Sequence, residues 1–251
     1  MPKEKISEAP QEEIPVGVSS CLLGENVRYD GGHKRNDYVV QTLGRIFDLQ
    51  PFCPEMAVGM GVPRPKIHLL ATDSGMRAVG IRDSSLDVTD ALHTCTENTK
   101  IWHSTLCGYI LKRGSPSCGM EGVKMYRSEG GKTEYIVREG NAERNSAGLY
   151  AARLMKSFPA MPVEEEGRLD NVNLRENFIR RVYLMHRWQQ MVAEGLSVKA
   201  LCDFHGHHKP MLTNHGQKES RALGRLAAQN DKSLEGAAQE YILRAMVLLK
   251  T

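Results

Sequence analysis

The sequence predicts an α/β protein in which a Rossmann-like domain with a parallel sheet is followed by a smaller all-α domain. Three observations support this prediction. Short apolar runs alternate with helical patterns through the first two thirds of the chain, and the last third contains helical patterns alone. Between them, residues 157–167 combine two prolines with an acidic run that would interrupt a helix. We therefore assign residues 14–168 to the α/β domain and residues 171–251 to the helical domain.

The composition is that of an ordinary globular protein. Of the 251 residues, 41% are apolar and 25% are charged, with a formal net charge of +3. These values exclude a disordered chain and a coiled-coil rod, and no apolar run approaches the ~18 residues of a membrane span. Residues 1–13 lack the apolar segment of a secretory signal, so we expect a cytoplasmic protein.

In the first region, strands are predicted at residues 14–19, 47–52 and 108–112, and helices at residues 85–106 and 144–156. Strands separated by helical crossovers pair in parallel. In open sheets of this kind, ligands bind outside the carboxyl ends of the strands.

Cysteines follow all three predicted strands. Cys21, Cys53 and Cys118 each come after an apolar run and beside glycine or proline, whereas the other three, at positions 95, 107 and 202, lie in helical patterns typical of core packing. Three soft ligands leave one coordination position of a metal centre open. The spacing matches neither zinc ribbons nor ferredoxins, so three unrelated buried thiols are the alternative interpretation.

The last region is basic and rich in histidine. Residues 171–251 hold 12 lysines and arginines, 7 acidic residues and five of the nine histidines. Helices are predicted at residues 173–194, 218–229 and 234–249. Between the first two, Cys202, His205 and His208 recur every three residues, which suggests either metal ligands or a polar surface. Gly206 and Pro210 argue against a regular helix there.

Several motifs of the first region resemble the signature of the thiouracil desulfurase family over residues 14–165. They are Val18-Ser19-Ser20-Cys21-Leu22-Leu23-Gly24, Val27-Arg28-Tyr29-Asp30-Gly31-Gly32, Cys53-Pro54-Glu55 and Lys112-Arg113-Gly114-Ser115-Pro116-Ser117-Cys118-Gly119. The resemblance implies an α/β domain that holds a 4Fe-4S cluster on Cys21, Cys53 and Cys118. One iron would be open to the sulfur of a thiolated pyrimidine. The implied reaction is a non-redox conversion of 2-thiouracil to uracil and sulfide.

The implied chemistry also needs an activated water and groups that move protons. Glu55 and Ser115, which lie close to the cysteines in sequence, are the candidate catalytic residues. Ser117, Lys112 and Arg28 are the candidate substrate-binding residues. The alternatives are that Glu55 caps a helix, that Ser117 hydrogen-bonds a cluster sulfur, and that the two cations are solvated at the surface. His33, in a predicted turn, is interpreted as a turn or rim residue.

The helical region resembles a second uncharacterised domain that often follows the desulfurase domain. Members of that second family are longer, and we therefore expect a shortened or divergent form here.

Two other functions fit the sequence less well. The basic charge and the pair Arg187-Trp188 suggest a protein that binds nucleic acid, such as a thiolated tRNA, with a structural metal site. Alternatively, the cysteines hold a structural zinc ion. A small thiolated nucleobase is the predicted partner, a membrane partner is not expected, and the sequence does not predict an oligomeric state.

Overall fold

The computed structural model describes residues 13–129, 132–135, 146–229 and 233–250. The strands are Pro15–Ser19 (β1), Asp48–Phe52 (β2), Ile67–Thr72 (β3), Gly75–Gly80 (β4), Gly108–Leu111 (β5), Met125–Glu129 (β6), Lys132–Tyr135 (β7) and Val163–Glu165 (β8). The helices are Asp37–Gln41 (α1), Pro54–Ala57 (α2), Thr89–Asn98 (α3), Lys100–Thr105 (α4), Leu149–Ser157 (α5), Val172–Gly195 (α6), Val198–His215 (α7), Gln217–Ala227 (α8) and Leu234–Leu249 (α9).

A parallel sheet lies at the centre of the α/β region. Its strand order is β2-β1-β5-β8, and all three strand pairs are parallel. The chain passes from β1 to β2 on one side and returns to β5 on the other side of β1. This reversal creates a topological switch point at the carboxyl ends of β1 and β5, where open α/β sheets bind ligands. The predicted α/β region with a parallel sheet, followed by an all-helical region, is confirmed.

A second sheet was not among the predicted elements. Its order is β4-β3-β6-β7, with β3 antiparallel to β4 and parallel to β6. The hairpin between β3 and β4 turns at the polar residues Asp73 and Ser74 and at Gly75, whose φ of 122° favours glycine. A turn of this composition between two apolar runs is a hairpin signal, and it would have predicted this pair.

The segment predicted to separate the two regions contains β8, the edge strand of the parallel sheet. The predicted interruption after α5 is present, but the acidic run is not a solvated linker. Glu164 and Glu165 are buried, and Glu164 accepts a hydrogen bond from Arg168 Nε at 2.5 Å. The ion pair allows an acidic sequence to occupy a strand.

The predicted helices differ from the observed ones mainly at their ends. The helix predicted at residues 85–106 is two helices, α3 and α4, with Thr99 between them. The predicted start of α5 near residue 144 lies outside the described residues, as do residues 1–12 at the amino terminus. The structure places the first turn of α5 at Leu149.

Helix α7 corrects one expectation. It runs without a break through Gly206 and Pro210, so the prediction that these residues prevent a regular helix is wrong. Packing supplies the compensation, because Leu201, Phe204 and Leu212 are buried along the same helix. None of the described helices combines the length and apolarity needed to cross a bilayer.

The parallel sheet and the helical region share one apolar core. A single cluster of buried side chains includes Val16 and Val18 of β1 together with Phe178 and Val182 of α6. Gly108 makes the contact close, since a Cβ atom there would lie 2.7 Å from Val182 Cγ2. The division into domains at residues 14–168 and 171–251 stays a prediction.

Candidate functional site

The three cysteines of the family motifs meet at one edge of the parallel sheet. Cys21 follows β1, Cys53 follows β2, and Cys118 lies in the loop after β5, so the three come from the carboxyl ends of three adjacent strands. All three line a cavity of about 380 Å³. This volume is within the range of about 300–1,000 Å³ that is usual for small-molecule and cofactor sites.

The loop that carries Cys118 is held by hydrogen bonds on both sides. The Ser115 hydroxyl oxygen accepts the backbone N–H of Ser117 at 3.2 Å and that of Cys118 at 3.0 Å. On the other side, the carbonyl oxygens of Pro116 and Ser117 accept backbone N–H groups from the first turns of α5, at 3.0 and 3.1 Å. The Cys118 backbone is thereby fixed before any ligand binds.

Burial makes the three thiols weak acids in the absence of a metal. It raises the pKa of Cys21 to about 11, an effect that Lys112 opposes and Cys53 reinforces. Burial also raises the pKa of Cys53, although a hydrogen bond from the backbone N–H of Met56 lowers it in part. The pKa of Cys118 is raised by burial and further by the nearby Cys53 and Glu55. The three thiols line the same cavity. A positively charged metal centre would stabilise three thiolates in this cavity.

Glu55 is the carboxylate beside the cysteines. Its Oε1 accepts a hydrogen bond from the Ser117 hydroxyl at 2.8 Å, and its Oε2 accepts one from Arg64 Nε at 2.8 Å. Glu55 does lie in the first turn of α2, as the capping alternative proposed, but its carboxylate is engaged in these two side-chain contacts. Ser117 is completely buried behind Glu55, whereas Ser115 and Glu55 line the cavity.

The two predicted substrate-binding cations also line the cavity, and both are paired. Lys112 Nζ forms an ion pair with Glu166 and donates to the Arg113 carbonyl at 2.9 Å. Arg28 lies 3.6 Å from Asp30 Oδ1. Neither is a fully solvated surface cation, since their side chains are 18% and 22% exposed.

The donor set fits an iron–sulfur cluster. The thiols are soft ligands, they come from separate strand ends, and they face one cavity. Within the described ranges, no group of three or more His, Cys, Asp or Glu side chains converges closely enough for a single metal ion. A 4Fe-4S cluster requires no such convergence, because each thiolate binds a different iron.

Comparison with known proteins identifies the family. The model of the 2-thiouracil desulfurase family matches residues 16–166, well over half of the chain. The chain belongs to this family. The matched residues include the three cysteines, Glu55, Ser115 and Ser117. The cavity therefore lies within the segment that the 2-thiouracil desulfurase family model matches.

Among solved structures, the chain is similar to a [4Fe-4S]-dependent thiouracil desulfidase, TudS. The two are 28% identical, and the match covers 63% of this chain and 94% of that chain with a TM-score of 0.46. No curated protein gives a significant match.

Several residues around the cavity of this desulfurase family member were not predicted from the sequence. Arg64, Glu166 and Lys66 are the clearest: Arg64 and Glu166 pair with Glu55 and Lys112, and Lys66 Nζ lies 4.5 Å from the centre of the Tyr29 ring. Arg64 and Lys66 border Pro65 in a run without regular secondary structure. No helical or strand period therefore predicts which way their side chains point.

The remaining cysteines lie outside the cavity lining. Cys95 and Cys107 are buried, and Cys202 is half-buried with its Sγ 3.4 Å from the Ala227 carbonyl oxygen. Near Cys202, the His205 ring is 3.1 Å from the Tyr241 hydroxyl. His33 Nδ1 accepts the backbone N–H of Arg35 at 3.2 Å, as expected for a turn residue.

Proposed function

We propose that this chain removes sulfur from a thiolated pyrimidine, converting 2-thiouracil to uracil, at a 4Fe-4S cluster held by Cys21, Cys53 and Cys118. The observation that carries the proposal is the convergence of three thiols from adjacent strand ends on one cavity in a member of the 2-thiouracil desulfurase family. When bound, the cluster supplies a soft iron without a protein ligand, which suits a thiocarbonyl sulfur.

The reaction is a hydrolysis without electron transfer. The oxygen of one water molecule forms a new bond to carbon and the carbon–sulfur bond breaks. Both protons of the water leave with the sulfur as hydrogen sulfide. In this scheme Glu55 accepts a proton from the attacking water. Arg64 and Ser117 hold the Glu55 carboxylate in one orientation, which reduces the ordering required when substrate binds.

Other side chains orient the substrate. Ser115, the second candidate catalytic residue, uses its oxygen as an acceptor for the Cys118 loop, so its O–H is free to donate to the pyrimidine, and its role in proton movement stays a prediction. Lys112 and Arg28 offer N–H donors to a pyrimidine oxygen from the cavity wall. A contact between Ser117 and substrate stays a prediction. In the structure the Ser117 hydroxyl donates to Glu55 instead.

Metal analysis of protein purified without oxygen tests the cofactor and the reaction together. We expect a brown protein with about four irons per chain, and sulfide and uracil in equal amounts after addition of 2-thiouracil. Alanine variants of Cys21, Cys53 or Cys118 should lose both colour and activity. Cys95→Ala is the matched control and should keep both, because Cys95 is a buried cysteine outside the cavity lining.

Two results would reject parts of this proposal. Zinc in place of iron would support a structural zinc site and exclude the cluster. Full iron loading without sulfide release from thiolated pyrimidines would retain the cofactor and exclude the reaction.

A groove in the helical region supports a second candidate function, the binding of nucleic acid. The groove, about 450 Å³ in volume, lies between α6 and α7, and its lining combines the apolar side chains of Tyr183, Leu184 and Met211 with Arg180, Arg187, His207 and His208. Arg180 is paired with Glu176 and Arg187 donates to Gln190, so a phosphate would have to compete with these partners for the two guanidinium groups. We expect tRNA binding that weakens steeply with salt if the groove has this role, and Arg180→Glu should weaken it further. Salt-independent or absent binding would exclude this function.

A further inference from the structure

Arg64 is a buried arginine beside the candidate active site. Its side chain is only 3% exposed, and Glu55 is its ion-pair partner, with Nη2 2.7 Å from Oε2. A buried guanidinium must satisfy its N–H donors, and Arg64 does so at three separate segments. Its Nε donates to Glu55, its Nη2 to the Val27 carbonyl at 2.8 Å, and its Nη1 to the Gly61 carbonyl at 2.8 Å.

The contacts with Glu55 fix a reactive side chain. Arg64 binds Oε2 and the Ser117 hydroxyl binds Oε1, so both carboxylate oxygens are held by groups that are themselves buried. Such a carboxylate cannot rotate without losing a charge-assisted hydrogen bond. It therefore keeps one orientation toward the cavity.

The other contacts of Arg64 hold a second part of the cavity wall, the segment from Val27 to Tyr29. Besides the Nη2 contact with Val27, the backbone N–H of Arg64 donates to the Tyr29 carbonyl at 2.9 Å. The segment from Val27 to Tyr29 carries Arg28 and lines the cavity. One guanidinium thus connects the cavity wall to the carboxylate.

We propose that Arg64 is a positioning residue of the desulfuration reaction: it orients Glu55 and holds the Val27–Tyr29 wall at a fixed distance from it. The proposal rests on the proposed function. Arg64 acts through Glu55 and the wall. It does not contact the reacting atoms itself.

Lysine is the informative replacement. Arg64→Lys keeps the positive charge, but a single ammonium cannot reproduce a planar fork that reaches Glu55, Val27 and Gly61 together. Misplacement of a catalytic group by about 1 Å can lower a rate about 100-fold. We therefore expect kcat to fall roughly 10- to 100-fold, with a smaller change in KM and with wild-type iron content and visible absorption.

A double-mutant comparison separates positioning from general damage to the fold. Glu55→Gln removes the carboxylate through which Arg64 acts. In the Glu55→Gln background only the contribution of the Val27–Tyr29 wall remains, so Arg64→Lys should lower kcat by a smaller factor than it does in the wild type. Arg77→Lys is the matched control: Arg77 also forms an ion pair, with Asp87, but on the second sheet, and its replacement should leave kcat and iron content unchanged.

Hydrogen–deuterium exchange gives a measurement that does not depend on activity. Amides of residues 27–32 and 59–64 should exchange faster in Arg64→Lys than in the wild type, and those of α9 should not change. The proposal is rejected if the lysine variant has the same kcat penalty in both backgrounds, if iron is lost in proportion to activity, or if exchange is unaltered. Should wild-type enzyme fail to release sulfide, the proposed function fails, and exchange alone still decides whether Arg64 holds these segments.

Discussion

His103 is a completely buried histidine between the sheet and α5. Its Nε2 lies 2.6 Å from the Tyr150 hydroxyl, which donates to the Tyr109 hydroxyl at 3.4 Å. Burial lowers the pKa of His103 to about 4, and it raises the pKa of both tyrosines. All three groups are therefore neutral at pH 7 in the folded protein.

This environment predicts a loss of stability in mild acid. An unfolded histidine titrates near pH 6.5, so between pH 6.5 and 4 the unfolded chain binds a proton that the folded chain excludes. The stabilisation is complete above pH 6.5 and is lost as the pH falls toward 4. We expect the free energy of unfolding to drop by about 2 to 3 kcal/mol between pH 7 and pH 4.5 from this residue. Urea unfolding at the two pH values measures it.

Comparison with variants isolates the contribution of His103. His103→Gln should be less stable at pH 7 but less sensitive to acid than the wild type. His33→Gln, at an exposed turn, should keep the wild-type sensitivity and controls for acid loss of a cofactor. Equal acid sensitivity in all three proteins would contradict the prediction.

At the residue scale, sequence reasoning can group side chains whose positions follow from the ends of predicted strands. Cys21, Cys53 and Cys118 were predicted as a group because each follows a strand of a parallel sheet, and the structure brings them to one cavity. Arg64 could not be found in this way. Its contacts with Val27 and Glu55 exist only after separate segments have folded together.

The Cys118 loop and helix α5 form one structural element. Gly148, directly before α5, has no room for a side chain, because a Cβ atom there would lie 2.5 Å from the Ser117 carbonyl carbon and oxygen. The close approach lets the loop carbonyls accept the helix N–H groups. Glycine is required here by the lack of space for a Cβ atom and not by the backbone conformation, because a φ of −61° is accessible to any residue.

Gly148→Ala should therefore displace the loop and reduce metal binding. Overpacking of this kind costs about 1 to 3 kcal/mol, and the shift would move Cys118 away from its position in the cavity. Iron content per chain and the thermal midpoint measure the two effects, and both should fall. Gly206→Ala in α7 is the control: nothing lies within 4 Å of its Cβ position, so stability should hold or rise by up to about 1 kcal/mol. Normal iron content in Gly148→Ala would contradict this account.

Two features that the sequence did not predict, strand β8 and the unbroken course of α7, depend on tertiary contacts. In β8, Arg168 pairs with Glu164 and the backbone N–H of Met120 donates to Glu165. Helix α7 continues through Pro210 because buried side chains pack it against its neighbours. The amphipathic helices α6, α8 and α9 were predicted within two residues of their ends, because their apolar faces follow the helical period.

At the scale of the whole molecule, the shared core couples the two regions. The chain has two tryptophans, Trp102 in α4 and Trp188 in α6, one on each side of the predicted boundary. Trp188 stacks on Tyr241 of α9 at 5.7 Å, and Trp102 packs against Phe52 of β2 at 5.3 Å. Fluorescence can therefore report separately on each region.

We expect both regions to unfold in one transition. In each single-tryptophan variant, Trp102→Phe and Trp188→Phe, the fluorescence of the remaining tryptophan and the far-UV circular dichroism should give coincident urea curves. Phe178→Ala, which removes a completely buried ring from the shared core, should lower the free energy of unfolding by about 3 to 5 kcal/mol with either reporter. Val192→Ala, on the exposed side of the same helix, should change it by less than about 0.5 kcal/mol. Separate transitions would show that the regions fold independently.

The arrangement of the three cysteines also determines the order of events in maturation. Cys21, Cys53 and Cys118 follow different strands, and strands β3 and β4 and helices α3 and α4 lie between the last two in the chain. No short segment of the nascent polypeptide contains more than one of them. The parallel sheet must therefore assemble before the thiols can meet, and insertion of iron and sulfide would be a late step performed on an already folded apoprotein.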